Sequence, residues 1–265
     1  MSDQNGLKDN WALILGASSG FGEAVSFKLA KAGMHIFGIH LDRRAAMVNV
    51  DRICSRIKEM GRQVAFFNIN ASDPLKRKET LDQVEKIIKE NDTPSTIKVL
   101  LHSLAFGTLK PYISSLQNDM VTDSNMNMTL DVMAHSLVYW AQELVFRKLM
   151  VSGGRIFAMT SAGGHRVWST YGPVSAAKAA LEAHIRQLAV ELAPLGITAN
   201  AIRAGVTDTP ALRKIPGNEI ITRKALEVNP SGRLTTPDDV AEAIVALSPN
   251  GTHWITGNII GVDGG

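Results

Sequence analysis

Trp11-Ala12-Leu13-Ile14-Leu15 runs directly into Gly16-Ala17-Ser18-Ser19-Gly20-Phe21-Gly22, and a helical pattern over Gly20–Ala32 starts inside that run. Five apolar residues in a row suit a strand covered on both faces, because a strand with one wet face alternates. Glycines directly after it let the chain turn tightly and let the backbone approach a pyrophosphate. The helix that follows offers free N–H groups and the positive end of its dipole at the same point. Strand, glycine turn and helix in this order predict the first unit of a nucleotide-binding α/β fold.

The same alternation recurs along the chain. Further strands are expected at His35–Ile39, Val64–Ile69, Ile97–His102, Arg155–Thr160, Thr198–Ile202 and Asn258–Val262. Helical patterns fall at Ala45–Met60, Asp73–Glu90, Thr122–Met150, Pro173–Ala193 and Pro237–Leu247. Repeated strand–helix units imply right-handed crossovers, and so a Rossmann-type α/β fold: a doubly wound parallel sheet of about seven strands with helices on both faces. Ligands of such sheets bind beyond the carboxyl ends of the strands, at the topological switch point. No linker or repeat divides the 265 residues, so a single domain over residues 1–265 is expected.

Composition narrows the function classes. A hydrophobic content of 45% supports a full core, and the net charge of +3 is modest. No dense Lys/Arg patch interleaves with aromatics, so nucleic-acid binding is not expected. No apolar run reaches the length of a membrane span, and the opening MSDQNGLKDN is polar, without a leader pattern. Cys54 is the only cysteine, which excludes an internal disulfide or a thiolate metal site. Its place on an amphipathic helix makes it a core residue. No His/Asp/Glu spacing suggests a metal. A soluble protein of a reducing compartment, the cytoplasm, is expected.

The second strand ends in His40-Leu41-Asp42-Arg43-Arg44. At this point an acid takes the ribose hydroxyls of NAD, while a base neutralises the extra phosphate of NADP. Asp42 lies slightly beyond the place expected for the acid, and two arginines follow it. His40, Arg43 and Arg44 are therefore cofactor candidates, with NADPH expected and NADH the alternative.

The loop Gly16–Gly22 resembles the Gly-x-x-x-Gly-x-Gly loop of the short-chain dehydrogenases/reductases. The resemblance implies that Gly16, Ser18, Ser19, Gly20, Phe21 and Gly22 hold the cofactor. It also implies that Asn70 and Ala71, after the third strand, contact adenine. Ordinary members carry Asn-Asn-Ala-Gly after the fourth strand. Here His102-Ser103-Leu104-Ala105-Phe106 looks instead like the His-Ser-Ile-Ala/Gly-Phe run of bacterial enoyl-acyl-carrier-protein reductases. Asn200-Ala201-Ile202-Arg203-Ala204-Gly205 resembles their Asn-Ala-Ile-Ser-Ala-Gly run, with Arg203 replacing Ser. Asp131 stands where ordinary members have a catalytic Asn, and an Asp is also found there in enoyl reductases. Ser103, Leu104 and Ala105 are accordingly placed at the cofactor.

Tyr171-Gly172-Pro173-Val174-Ser175-Ala176-Ala177-Lys178 carries the chemistry. Ordinary members place three residues between the catalytic Tyr and Lys, but here that place holds Val174. Residues seven apart still share a helix face. Pro173 suits a first turn and Gly172 a cap, so Tyr171 is expected just before the helix. In a ketone the proton goes to the oxygen adjoining the hydride acceptor. In an enoyl thioester, hydride enters the β-carbon and charge appears on the thioester oxygen, and a donor must point there. A displaced tyrosine fits the second case. The resemblance implies that Lys178 holds the nicotinamide ribose and stabilises charge. The major bacterial form has a second tyrosine ten residues before the first; here that residue is Ser161, a candidate donor to substrate. His102, His165 and Trp168 are expected to be wall or core residues.

The resemblance also implies that residues 205–232 close over substrate. Backbone near Gly205 and Val206 would hold the carboxamide, and Thr209 would reach the cofactor phosphates. Ala211, Leu212, Ile215, Ile220, Ile221 and Leu226 are candidate walls for an acyl chain. Arg213, Lys214, Arg223 and Lys224 form a basic stretch suited to an acidic acyl carrier protein. The expected activity is NAD(P)H-dependent reduction of trans-2-enoyl thioesters by a homotetramer. The alternatives are an ordinary ketone or 3-oxoacyl reductase, and a nucleotide-binding sensor without turnover.

Overall fold

The computed structural model describes residues 6–91 and 93–265; the polar opening residues 1–5 lie outside the described part. The elements are β1 (Trp11–Leu15), α1 (Gly20–Lys31), β2 (His35–His40), α2 (Met47–Glu59), β3 (Val64–Asn68), α3 (Pro74–Lys89), β4 (Ile97–His102), α4 (Asp123–Leu130), α5 (Ser136–Phe146), β5 (Arg155–Thr160), α6 (Gly172–Leu192), β6 (Thr198–Ala204), α7 (Asn218–Val228), α8 (Pro237–Leu247) and β7 (Ile259–Val262). The strands form one parallel sheet in the order β3-β2-β1-β4-β5-β6-β7. The order reverses between β1 and β4. Their carboxyl ends, Leu15 and His102, lie in register beside each other. That crevice is where a ligand of such a sheet is held.

Strand alternation sends side chains to two cores. Trp11, Leu13 and Leu15 face a layer that includes Leu81 of α3, Trp140 of α5 and Leu181 and Ile185 of α6. Ala12 and Ile14 face Val25 and Leu29 of α1, Ile53 of α2 and Ile244 of α8. The inner strands β1, β2, β4 and β5 are buried throughout, as their uniform apolar runs require. The edge strands β3 and β7 are only half-buried. Among the described residues no helix is long and apolar enough to cross a membrane.

Two segments differ from the sequence expectation. The single helix expected over Thr122–Met150 is α4 and α5 joined by a π turn at Asp131–His135, and α5 stops at Phe146. After Phe146 the chain doubles back, with the N–H groups of Leu149 and Met150 both donating to the Leu144 carbonyl. Helix α7 adds to the sequence expectation: none of its residues is fully buried, and only a half-buried stripe at Asn218, Ile221, Thr222 and Ala225 faces the protein.

Trp140 pins α5 to the turn after β3. It is fully buried, and its indole N–H donates to the Ala71 carbonyl at 2.9 Å. Trp140→Phe leaves a cavity and an unpaired buried carbonyl, so it should cost about 2–4 kcal/mol of unfolding free energy. Urea denaturation measures this; an unchanged midpoint would show that the site relaxes without penalty.

Candidate active site

The glycine loop is built by close approach. Gly16 sits at φ +88°, and a Cβ there would lie 2.5 Å from the Ser103 carbonyl. A Cβ on Gly22 would collide with the Gly16 carbonyl oxygen, so α1 packs directly on the turn. The N–H groups of Gly16 and Ala17 both donate to the Ile39 carbonyl, and that of Ser103 to Leu15. Asn49 of α2 donates to the Ser18 carbonyl at 2.8 Å and to Glu23 at 3.1 Å, holding the loop from outside. Ser19, the N-cap of α1, makes no side-chain capping bond, so the first N–H groups of the helix stay available. Thr209, from the segment after β6, brings its methyl within 3.6 Å of where a Gly20 Cβ would be. The loop, Ser103-Leu104 and Thr209 thus converge on one crevice, while Ala105 is exposed beyond it. Uncapped helix donors beside a turn open only to glycine are a donor set that fits a dinucleotide pyrophosphate.

At the end of β2, His40 is buried and its Nδ1 lies 3.0 Å from the Asp42 carboxylate. Burial lowers the imidazole from its ordinary range, and Asp42 opposes the shift. Asn68 fixes the Asp42 backbone from both sides. The carboxylate is therefore engaged inward. Arg43 and Arg44 are exposed, and neither forms an ion pair among the described residues. The Asn70 side chain accepts from the Ser72 N–H and hydroxyl, and Ala71 is buried under Trp140.

At the other end of the crevice, Tyr171 is the N-cap of α6 and Pro173 lies in the first turn. The cap is thus Tyr171 itself, and Gly172 already belongs to the helix. The phenol ring lies over Gly163, where any Cβ would strike it, and beside the Ser161 hydroxyl. Burial raises the phenol above its usual range, and Ser161 opposes the shift. Tyr112, on the loop after β4, packs its ring end on Gly172, where a Cβ would come within 2.6 Å. Val174 is buried in an apolar wall with Val132, Met133 and Ala177.

Lys178 is 6% exposed and donates to the Met159 carbonyl at 2.6 Å. Burial lowers its ammonium to about 8, with Glu182, one turn further on, pulling it back up. Glu182 is itself buried, accepting from the Thr160 hydroxyl at 2.6 Å and lying 2.7 Å from His165 Nε2. His102 is fully buried, with Nε2 2.9 Å from the Ser136 hydroxyl. That hydroxyl donates to the Val132 carbonyl inside the π turn, so His102 carries its proton on Nε2. Burial, with the Lys178 charge behind it, pushes the imidazole down to about 3, so it is a neutral wall residue.

Asp131 is exposed at the start of the π turn. Arg213 is tied to Asp208 by two bonds of 2.7 and 2.8 Å, and among the described residues Lys214, Arg223 and Lys224 form no ion pair. Gly205 abuts Thr235, and Thr207 and Thr209 are buried roots of the segment. Ala211, Leu212, Ile215 and Ile221 are half-buried, while Ile220 and Leu226 are 43% exposed. Among the described residues no group of three His, Cys, Asp or Glu converges for a metal. Half-buried Cys54 has its thiol raised by burial, which suits a packing residue.

Residues 16–265 match the family model described as Enoyl-(Acyl carrier protein) reductase. An uncharacterized oxidoreductase of Bacillus subtilis, YjdA, is 33% identical over 258 residues, covering 96% of this chain and 95% of the relative. A 3-oxoacyl-[acyl-carrier-protein] reductase of Aggregatibacter actinomycetemcomitans is 28% identical over 96% of this chain and 97% of its own. The Bacillus cereus enoyl-acyl carrier protein reductase, solved with NADP+ and indole naphthyridinone, superposes with a TM-score of 0.85 at 25% identity, covering 98% and 97% of the two chains.

The buried pair Lys178–Glu182 sets a pH dependence. Lys178 is cationic below its lowered pKa of about 8 and neutral above it. An activity that needs the cation should therefore fall as pH rises through about 8 in kcat/KM, which reports the free enzyme. Glu182→Gln removes the attraction that raises this pKa, so the alkaline limb should move to lower pH. A limb that stays in place would show that Lys178 does not govern it.

Proposed function

The chain belongs to the enoyl-(acyl carrier protein) reductase family of the short-chain dehydrogenases/reductases, and from that premise we propose that it reduces the carbon–carbon double bond of trans-2-enoyl thioesters. The observation that carries the reading is the acid. The place four residues before Lys178 is closed by Val174 in an apolar wall, and the phenol enters from the helix cap at Tyr171. NADPH supplies the hydride when bound; Arg43 and Arg44 stand free to meet its extra phosphate, while Asp42 is turned onto His40.

The remaining steps belong to the chain's own groups. Tyr171 donates a hydrogen bond to the thioester oxygen as negative charge develops there. The raised phenol holds its proton until that charge forms. Lys178 supplies positive charge from a dry site, where it acts more strongly than in water. Ser161, beside the phenol, orients it and is within the same pocket wall. As the enolate collapses to the saturated thioester, the Tyr171 phenol gives its proton to the α-carbon and is reprotonated from water, which completes the reduction. Gly205, Val206 and Thr209 close the crevice from the segment 205–232, which acts as a lid within one domain.

The carrier is an acyl carrier protein, met by Lys214, Arg223 and Lys224, with CoA thioesters as substitutes. A cytoplasmic homotetramer is the assembly that the family resemblance suggests. A second reading, ketone or 3-oxoacyl reduction, is favoured by one observation: the Ser161 hydroxyl lies against Tyr171, as a ketone reducer needs.

NADPH oxidation followed at 340 nm with crotonyl-CoA and with acetoacetyl-CoA separates the two. Turnover of the enoyl substrate alone is expected, and Tyr171→Phe should lower kcat by about 10²–10³-fold. Turnover of the keto substrate alone would make this a carbonyl reductase with a displaced acid.

A further inference from the structure

Trp168 lies on the loop between β5 and α6, three residues before Tyr171. It touches both the catalytic turn and the segment after β6. Its carbonyl accepts the Tyr171 N–H at 3.2 Å. Its indole N–H donates to the Pro216 carbonyl at 3.1 Å. The edge of its ring lies 3.4 Å from the Cβ position of Gly217, the φ +76° residue that caps α7. The other end of this segment is rooted at Thr209, which rests on Gly20 of the glycine loop and accepts the Leu212 N–H at 3.2 Å. Residues 209–217 therefore form a strap from the cofactor crevice to the catalytic loop.

We propose that Trp168 is a positioning residue that couples seating of the strap to placement of the Tyr171 phenol. Thr170, between the two, sits at φ +62°, and its buried hydroxyl has no hydrogen-bond partner among the described residues. A β-branched residue keeps a left-handed conformation only when its surroundings hold it there. One side of that turn is held by α6, where the Ser175 N–H donates to the Tyr171 carbonyl. The other side is held by Trp168, whose indole has its acceptor only while Pro216 is in place. Lifting the strap removes one fixed end of the turn, and the phenol loses its alignment over Gly163. Binding in the crevice beneath Thr209 thereby reports to the proton donor at the far end.

The inference rests on reading Tyr171 as the proton donor, and its test separates the two. Trp168→Phe keeps a ring over Gly217 and deletes the N–H; Gly217→Ala meets the ring only at contact distance but strains the strap backbone at φ +76°, unseating Pro216 from the strap side and leaving the catalytic loop intact. Each should lower kcat on the order of tenfold, with KM for NADPH changed less than about twofold. The double variant should be no worse than the poorer single one, as for two halves of one contact. Of the four tryptophans, Trp11 and Trp140 are buried in the core and Trp254 is 89% exposed. The change in tryptophan emission on adding NADP+ with crotonyl-CoA, a pair that cannot react, should therefore be present in the wild type and absent from Trp168→Phe. A wild-type kcat in Trp168→Phe, or an emission change that survives in it, overturns the coupling while Tyr171→Phe remains inactive. A fully active Tyr171→Phe overturns the donor assignment instead. Should Trp168→Phe fail to fold, the kcat of Gly217→Ala decides.

Discussion

The Lys178 ammonium is held out of water, 2.6 Å from the Met159 carbonyl at the end of β5, and the α6 end of the crevice is arranged around that placement. A buried cation is costly unless acceptors and a counter-charge attend it. Met159 supplies the acceptor from the sheet. Glu182 supplies the counter-charge from the same helix, itself steadied by Thr160 at the end of β5 and by His165 on the following loop. Helix α6, strand β5 and the loop to Tyr171 are thus bound into one unit by a charge that none of them can hold alone. His102 stays neutral beside it, because burial and the same positive charge both disfavour a second proton.

The glycine-loop end obeys a different constraint, one of space. Gly16 and Gly22 bring β1, α1 and the Ser103 backbone within contact that no side chain permits. The crevice lies where the strand order reverses, so the parallel sheet itself delivers both ends of the site to one edge. Steric closeness shapes one end and electrostatic cost the other. The strap from Thr209 to Gly217 spans the distance between them.

What could be read from the sequence was local. The strands β1, β4 and β5 have the bounds that their apolar runs suggest, and α8 runs Pro237–Leu247 because Thr236 and Asp239 form a capping box at its start. Tyr171 stands at the mouth of α6 because Pro173 cannot sit deeper in a helix. What escaped was long-range. Asn49 acts on a carbonyl 31 residues away, Glu182 on a hydroxyl 22 away and Trp168 on a carbonyl 48 away, and no spacing rule connects such pairs. The π turn at Asp131–His135 contains no Pro or Gly to betray it; its Ser136 hydroxyl turns to Val132 and meets His102 from another element.

The central claim is that the phenol at the cap of α6, and not a group at position 174, meets the charge that develops on a thioester oxygen. A crystal structure of the complex with NADP+ and crotonyl-CoA tests it most directly. The prediction is a thioester oxygen within about 2.7 Å of the Tyr171 hydroxyl, with the β-carbon over the nicotinamide. A thioester oxygen held by Ser161 alone, with Tyr171 turned away, would contradict it.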